Sequence, residues 1–289
     1  MYTDETGKKW FKGNLHTHTK ISDGSFSPEN AIELYKNNGY DFLSLTDHWK
    51  WNNSSESEGI TIISGIEYDF GKSCSDGIYH IVAIGCNKEP DVKKGTSLQT
   101  VIDEIHKKGG IACLAHPAWS LNSPDDLMKL KNVDMCEIFN SISDIPFNCR
   151  AYSGSVLDIM AAKGCVWNIS AADDTHFYKE SDTCRSFIYV NCEDGSGKEI
   201  LKAIKQGKYY ASQGPKISVE LKGDTLYVKS SPVCEMVFFT DKAYVPDRCI
   251  TGENLCYGEY KIKDEESFVR VEVKNKEGKY AWSQYYLTK

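Results

Sequence analysis

The 289-residue sequence predicts an α/β chain in two parts, a β/α barrel over residues 1–212 and a small all-β, sandwich-like domain over 213–289. Three observations carry this expectation. From residue 11 to about residue 210, short apolar runs alternate with amphipathic stretches of helical period, the pattern of β/α units around a mostly parallel sheet. After Gln213-Gly214-Pro215 the residues alternate singly, as in Ile217-Ser218-Val219-Glu220-Leu221 and Phe268-Val269-Arg270-Val271-Glu272-Val273, with turn signals at Lys222-Gly223-Asp224 and Glu277-Gly278-Lys279. The length is near that at which one hydrophobic core stops growing, so a large domain with a small companion is the natural division.

Taken in order, the expected strands are Phe11 to His16, Asp41 to Thr46, Thr61 to Glu67, Tyr79 to Gly85, Ile111 to His116, Asp134 to Phe139, Val166 to Ala171 and Phe187 to Val190, a number that suits a barrel. Helices lie between them. Ser27-Pro28 opens one from Pro28 to Asn38 that stops at Gly39, and Thr96 precedes another that runs to Lys108 before Gly109-Gly110. The others are Ser123 to Leu130, about Arg150 to Lys163 closed by Gly164, and Gly197 to Gln206 closed by Gly207.

Composition narrows the function. With 40% hydrophobic and 26% charged residues, the chain has the make-up of a folded globular protein rather than a disordered one. The net charge of -7 and the absence of any basic block disfavour nucleic acid as a bulk electrostatic partner. Residues Met1 to Trp10 lack the apolar stretch of a secretory signal, and no run approaches the roughly 18 apolar residues of a membrane span, so a cytoplasmic protein without a membrane partner is expected. The eleven cysteines are odd in number, include no CxxC pair and often sit in apolar runs, as Cys113, Cys136 and Cys165 do; most read as reduced small hydrophobes.

The chemistry concentrates in the histidines. Six of the seven lie at strand ends: His16, His18, His48, His116 and His176 at or just past a C-terminal end, and His80 at the start of an apolar run. In a β/α barrel that rim carries the active site. His16-Thr17-His18 puts two imidazoles on one side of an extended segment, although an HxH alone is a weak signal. Carboxylates accompany them, in Ser22-Asp23-Gly24, Thr46-Asp47-His48 and Asp174-Thr175-His176, and Glu67 ends an apolar run where an unpaired carboxylate would be costly without a cation. Each residue taken singly has a bland reading as a turn aspartate or a core histidine. All of them holding at once is improbable.

In sequence order these motifs, with Gly65-Ile66-Glu67 and Ala115-His116-Pro117, closely resemble the PHP (polymerase and histidinol phosphatase) superfamily over roughly residues 10 to 212. The opening Gly13-Asn14-Leu15-His16-Thr17-His18-Thr19, the Asp173-Asp174-Thr175-His176 segment and the trailing β-rich part look like its branch of predicted phosphoesterases and carbaryl-hydrolase-like metallohydrolases. The resemblance implies a distorted seven-stranded β/α barrel and a site for two or three divalent ions. His16, His18, Glu67 and Asp174 would hold one ion; Glu67 would bridge to a second held also by His80 and His116; Asp23, His48 and His176 would hold a third. Many relatives carry histidine at the position of Asp23. Asp47 is expected to orient an imidazole, Asp173 is the rival of Asp174, Glu137 has structural and functional readings of equal weight, and His106 is left out of the site.

Mixed nitrogen and oxygen donors suit zinc, manganese or iron rather than calcium. Two ions sharing Glu67 would lie roughly 3.5 to 4 Å apart and would lower the pKa of a bridging water towards neutrality, so hydrolysis is expected. Three such ions, held by only three carboxylates and one hydroxide, leave a positive site that favours a phosphomonoester dianion. Two ions leave less charge, and a neutral carbamate, ester or amide then becomes the alternative. Lys20, Arg150 and Arg185 lie near motif segments and are the candidate substrate-binding cations. A non-catalytic structural or regulatory PHP module should lack ligands, and none is missing here. The expected partner is thus a small phosphorylated metabolite, with the oligomeric state left open.

Overall fold

The computed structural model describes residues 1–57, 59–73, 77–179 and 181–288. The first part runs β1 (Tyr2–Thr3), β2 (Lys9–Asn14), α1 (Pro28–Asn37), β3 (Phe42–Ser44), β4 (Ser55–Ser57), β5 (Ile60–Ile63), β6 (Gly65–Phe70), β7 (Tyr79–Ile84), α2 (Leu98–Lys107), β8 (Ile111–Leu114), α3 (Pro124–Leu127), β9 (Met135–Asn140), α4 (Gly154–Ala162), β10 (Asn168–Ala172), β11 (Phe187–Asn191), α5 (Gly197–Lys205) and β12 (Tyr209–Ser212). Then come β13 (Ile217–Lys222), β14 (Thr225–Thr240), β15 (Cys249–Lys261), β16 (Phe268–Lys274), β17 (Tyr280–Trp282) and β18 (Tyr286–Leu287).

Helix boundaries follow local chemistry. Ser27, Ser97, Ser123 and Ser196 each cap a helix by accepting a backbone N–H three residues on, and Pro28 and Pro124 sit in first turns where a missing N–H costs nothing. Gly39, Gly109, Gly164 and Gly207 adopt the left-handed conformation just past the ends of α1, α2, α4 and α5, as the sequence suggests. The fourth helix starts later than expected, at Gly154, because Tyr152 forms a β-bridge with Phe139 instead.

Two walls enclose the first core. One has the order β11-β2-β3-β5 and the other β10-β9-β8-β7-β6, and at one rim they are joined by the bridges Thr17 to Thr175 and His48 to Glu67. The expected strand from Thr61 to Glu67 is two strands, one in each wall, with the corner at Ser64 and Gly65. A Cβ on Gly65 would lie 2.4 Å from Ser44 Oγ and 2.6 Å from the Leu45 carbonyl oxygen, so glycine permits this close approach.

The sheet expected to be mostly parallel is mixed. β2, β3 and β5 are mutually parallel, as are β8, β9 and β10, but β7 is antiparallel to both β6 and β8, and β11 is antiparallel to β2. Only residues 71–78 connect β6 to β7. That is shorter than the dozen or so residues that a parallel crossover requires, so the chain must return antiparallel.

The C-terminal strands are hydrogen-bonded onto the first wall: β12 pairs with β17, and β13, β14 and β16 continue the same sheet. One apolar cluster unites Trp10, Leu43 and Tyr210 with Ile217, Met236 and Phe238. Arg270 on β16 is fully buried and grips Asp158 on α4 through two 2.7 Å hydrogen bonds. The ten described cysteines are free thiols, and Cys74 lies outside the described residues. Among the described residues no helix is long and apolar enough to cross a membrane.

Candidate metal centre

The rim where the two walls meet gathers every donor named from the sequence. Beyond β2 the chain stays extended, held by hydrogen bonds from Thr17 N–H to Thr46 Oγ1 and from His18 N–H to the Thr175 carbonyl. His16 and His18 therefore point the same way and are both buried. His80 begins its strand rather than ending one, yet it faces the same rim because β7 runs antiparallel to β6.

Glu67 and Asp174 form the centre. His16 Nε2 lies 3.2 Å from Glu67 Oε1 and 3.1 Å from Asp174 Oδ1, and His18 Nε2 is 3.0 Å from both Glu67 Oε2 and Asp174 Oδ1. On one side His80 Nδ1 is 3.0 Å and His48 Nδ1 3.2 Å from Glu67, while His116 Nε2 stands farther back, 3.7 Å from Asp174 Oδ2 and 3.9 Å from Glu67. On the other, Asp23 lies 3.4 Å from His18 Nδ1, 3.3 Å from His176 Nε2 and 3.8 Å from His48 Nε2. Three donor sets have atoms within 4.8 Å of one another: His16, His18, Glu67 and Asp174; His18, Asp23, His48 and His176; and His48, Glu67 and His80.

The outer hydrogen bonds set which nitrogen is free. His16 Nδ1 donates to Glu137 Oε1 at 2.8 Å and His176 Nδ1 donates to the Asp174 carbonyl at 2.9 Å, leaving each Nε2 turned inward. Yet Glu67 Oε2, Asp174 Oδ1 and His48 Nδ1 are buried with no hydrogen-bond partner. Close approach without hydrogen-bond geometry is what lone pairs converging on a shared cation produce. Burying such groups without one would be costly, so the donor set fits divalent ions.

Charge tells the same story. Burial alone would favour neutral carboxyls, but His16, His48 and His80 hold Glu67 well below the usual range, and His16 and His18 do the same for Asp174. His116, desolvated and beside His80, is pushed down to about 3 and so stays a neutral donor. Burial opposes protonation of His16, but Asp174, Glu67 and Glu137 overcome it and raise its pKa well above the ordinary value. The carboxylates thus draw positive charge into the pocket. His116 and Asp174 also have positive φ, 31° and 52°, an unfavourable conformation for such residues that recurs at functional sites.

Some expected roles differ. Asp47 touches no imidazole; consecutive residues in an extended segment point oppositely, and its carboxylate accepts the N–H and hydroxyl of both Thr19 and Ser22, pinning the loop that carries Asp23. Of the candidate cations, Lys20 and Arg150 are exposed and Arg185 pairs with Asp144 and the Ser141 carbonyl; none lines the cavity of about 270 Å³ over the donors. Asp173 is structural, accepting Tyr35 Oη–H and the backbone N–H groups of Cys184, Arg185 and Ser186. Burial lifts its pKa to about 6. His106 bonds the Asn132 carbonyl away from the site.

Two participants were missed or underweighted. Glu137 accepts from His16 Nδ1, the His116 N–H and Asn140 Nδ2, and so orients two donors at once. Asp69 lies 3.6 Å from His48 Nδ1 and accepts from Trp49 Nε1. Its position two residues after Glu67 on one strand was the available signal.

No family model matches the chain. An uncharacterized protein of Methanocaldococcus jannaschii is 26% identical over 142 residues, covering 45% of this chain and 82% of that protein. A lesion-specific endonuclease from Pyrococcus furiosus has a TM-score of 0.49 at 16% identity, over 68% of this chain and 56% of its own. A two-domain protein from Bacteroides vulgatus, containing a predicted PHP-like metal-dependent phosphoesterase, has a TM-score of 0.57 at 17% identity and matches over 99% of this chain and 97% of its own. That likeness spans both the walled core and the C-terminal strands. The chain is therefore PHP-like in fold, with histidine and carboxylate donors collected at one rim.

Proposed function

We propose that the chain is a metal-dependent phosphoesterase that hydrolyses a small phosphorylated metabolite, most readily a phosphomonoester. The observation that carries this reading is the convergence of Glu67 Oε2, Asp174 Oδ1 and His48 Nδ1, buried and unpartnered, among five further imidazoles. His16, His18, Glu67 and Asp174 would hold one zinc, manganese or iron ion, Glu67 with His80 and His116 a second, and Asp23, His48 and His176 a third. When bound, such ions supply an activated water and stabilise charge on the phosphoryl oxygens. Glu137 holds the His16 ring in place, and Asp47 holds the Asp23 loop. The same reading assigns residues 1–212 to the hydrolase domain, as a distorted seven-stranded barrel, and 213–289 to a small β domain.

Charge supports an anionic substrate only with ions in place, because among the described residues the cavity lining contributes three carboxylates and no lysine or arginine. That lining also favours one alternative, hydrolysis of a neutral carbamate, ester or amide by the same water. Elemental analysis coupled to a panel of phosphomonoesters, phosphodiesters and carboxyl esters separates the two. Phosphomonoester turnover that disappears on chelation and returns with metal is expected. Metal-dependent turnover of carboxyl esters alone would overturn the phosphoesterase reading.

A further inference from the structure

The cavity over the donor sets is divided in character. Beyond the donors, its lining among the described residues is Trp119, Ile142, Ser143, Phe147, Asn148 and Tyr178, with no basic side chain. Phe147 is 65% exposed and Tyr178 41% exposed, and the loops that carry Asp23 and His116 expose Ile21 and Leu121 nearby in sequence. Large aromatic side chains such as Phe147 and Tyr178, left in water at the edge of a polar floor, mark a surface that meets an apolar partner.

The backbone that presents these rings is braced. Asn148 Nδ2 donates to the Ile142 carbonyl at 2.7 Å, and Trp119 Nε1 donates to Asn148 Oδ1 at 3.1 Å, which ties the Phe147 loop to the turn that follows His116. Phe177, the neighbour of Tyr178, stacks on Phe26 with ring centroids 4.5 Å apart. A braced backbone fixes where these rings are attached, so less freedom is lost when a ligand arrives.

We infer that the part of the substrate projecting from the metal centre is a flat, uncharged apolar group, an aryl or arylalkyl moiety, and not a second anionic group. A second phosphate or a carboxylate there would find no cationic side chain and would lie close to Asp23, Glu67 and Asp174. A ring would exchange water for the faces and edges of Phe147, Tyr178 and Trp119. The bond that is cleaved rests on the phosphoesterase reading above; the ring does not.

The test compares benzyl phosphate, ethyl phosphate and phosphoglycolate on the metal-loaded enzyme. All three release an alkoxide, so the comparison reports recognition more than leaving-group reactivity. Benzyl phosphate is expected to exceed ethyl phosphate in kcat/KM by about tenfold or more, with phosphoglycolate lowest. Phe147→Ala and Tyr178→Ala should each cut the benzyl-to-ethyl ratio at least about threefold, mainly through KM. A ratio near one, a preference for phosphoglycolate, or a ratio that neither substitution moves would overturn the inference. Calorimetry with phenylphosphonate and methylphosphonate gives a reading independent of turnover: tighter phenylphosphonate binding is expected, and equal or undetectable affinity for both overturns it. If no ester is hydrolysed while phenylphosphonate still binds preferentially, the phosphoesterase reading fails and the apolar subsite stands. Turnover without ring preference means the reverse.

Discussion

The Nε2 atoms of His16 and His18, both buried, face one another at 3.2 Å. Glu137 Oε1 accepts from His16 Nδ1, which turns the Nε2 of that ring inward, and Asp174 Oδ1 lies within 3.1 Å of both rings. Such a set is stable only around shared positive charge. His16→Ala and Asp174→Ala are each predicted to remove bound metal and hydrolysis together. Elemental analysis beside an activity assay checks this, and retained activity in either variant contradicts the ligand assignment.

Glu137 is predicted to act through the imidazoles it orients. In Glu137→Gln one amide N–H must replace an oxygen that now accepts from a donor, leaving the His116 N–H, Asn140 or His16 without its acceptor. Loss of such an orienting carboxylate typically weakens metal affinity about 10- to 100-fold. Competition against a chelator of known affinity measures it. Wild-type affinity in the variant would remove Glu137 from the site.

Asp23 decides the number of ions. It is the only carboxylate in the set with His18, His48 and His176, so Asp23→Ala is expected to lower the bound metal by one ion per chain. Gly24 bears on the same set, because a Cβ there would lie 2.6 Å from the backbone of His18. Gly24→Ala should therefore displace the Asp23 turn and reproduce the loss. Unchanged stoichiometry in both variants would mean that this third set holds no ion.

Much of this site was legible because its residues announce themselves at strand ends, where His16, His48, His116 and Asp174 stand beside apolar runs. His80 was legible by type but not by placement, since its position at a strand start makes sense only once β7 is seen to run antiparallel. Glu137 and His16 meet across 121 residues of sequence, and nothing local to either reveals the pairing. Asp47 shows the reverse: expected to orient an imidazole, its carboxylate instead holds Thr19 and Ser22, because consecutive residues of an extended segment point oppositely. The basic residues failed for the same reason, as Arg185 near a motif in sequence is directed to Asp144 in space. Turn and cap residues fixed the helix ends well, whereas the corner at Gly65 and the merger of the C-terminal strands with the first wall depend on long-range packing.

Arg270 tests that merger. Its fully buried guanidinium engages Asp158 and Glu272, and Tyr152 and Tyr285 complete the network. Removing one member of a buried charge network leaves its partners uncompensated, so Arg270→Ala is predicted to destabilise the protein by about 3 kcal/mol. Urea denaturation measures this, and a shift below about 1 kcal/mol would mark the pair as incidental.

The most direct test of the multinuclear centre is the metal content of the protein measured while its activity is titrated. Protein stripped with chelator and re-supplied with zinc, manganese or iron is predicted to take up two or three ions per chain, with phosphomonoesterase activity rising only as the second ion binds. Uptake of one ion or none, or activity that survives complete stripping, would contradict it.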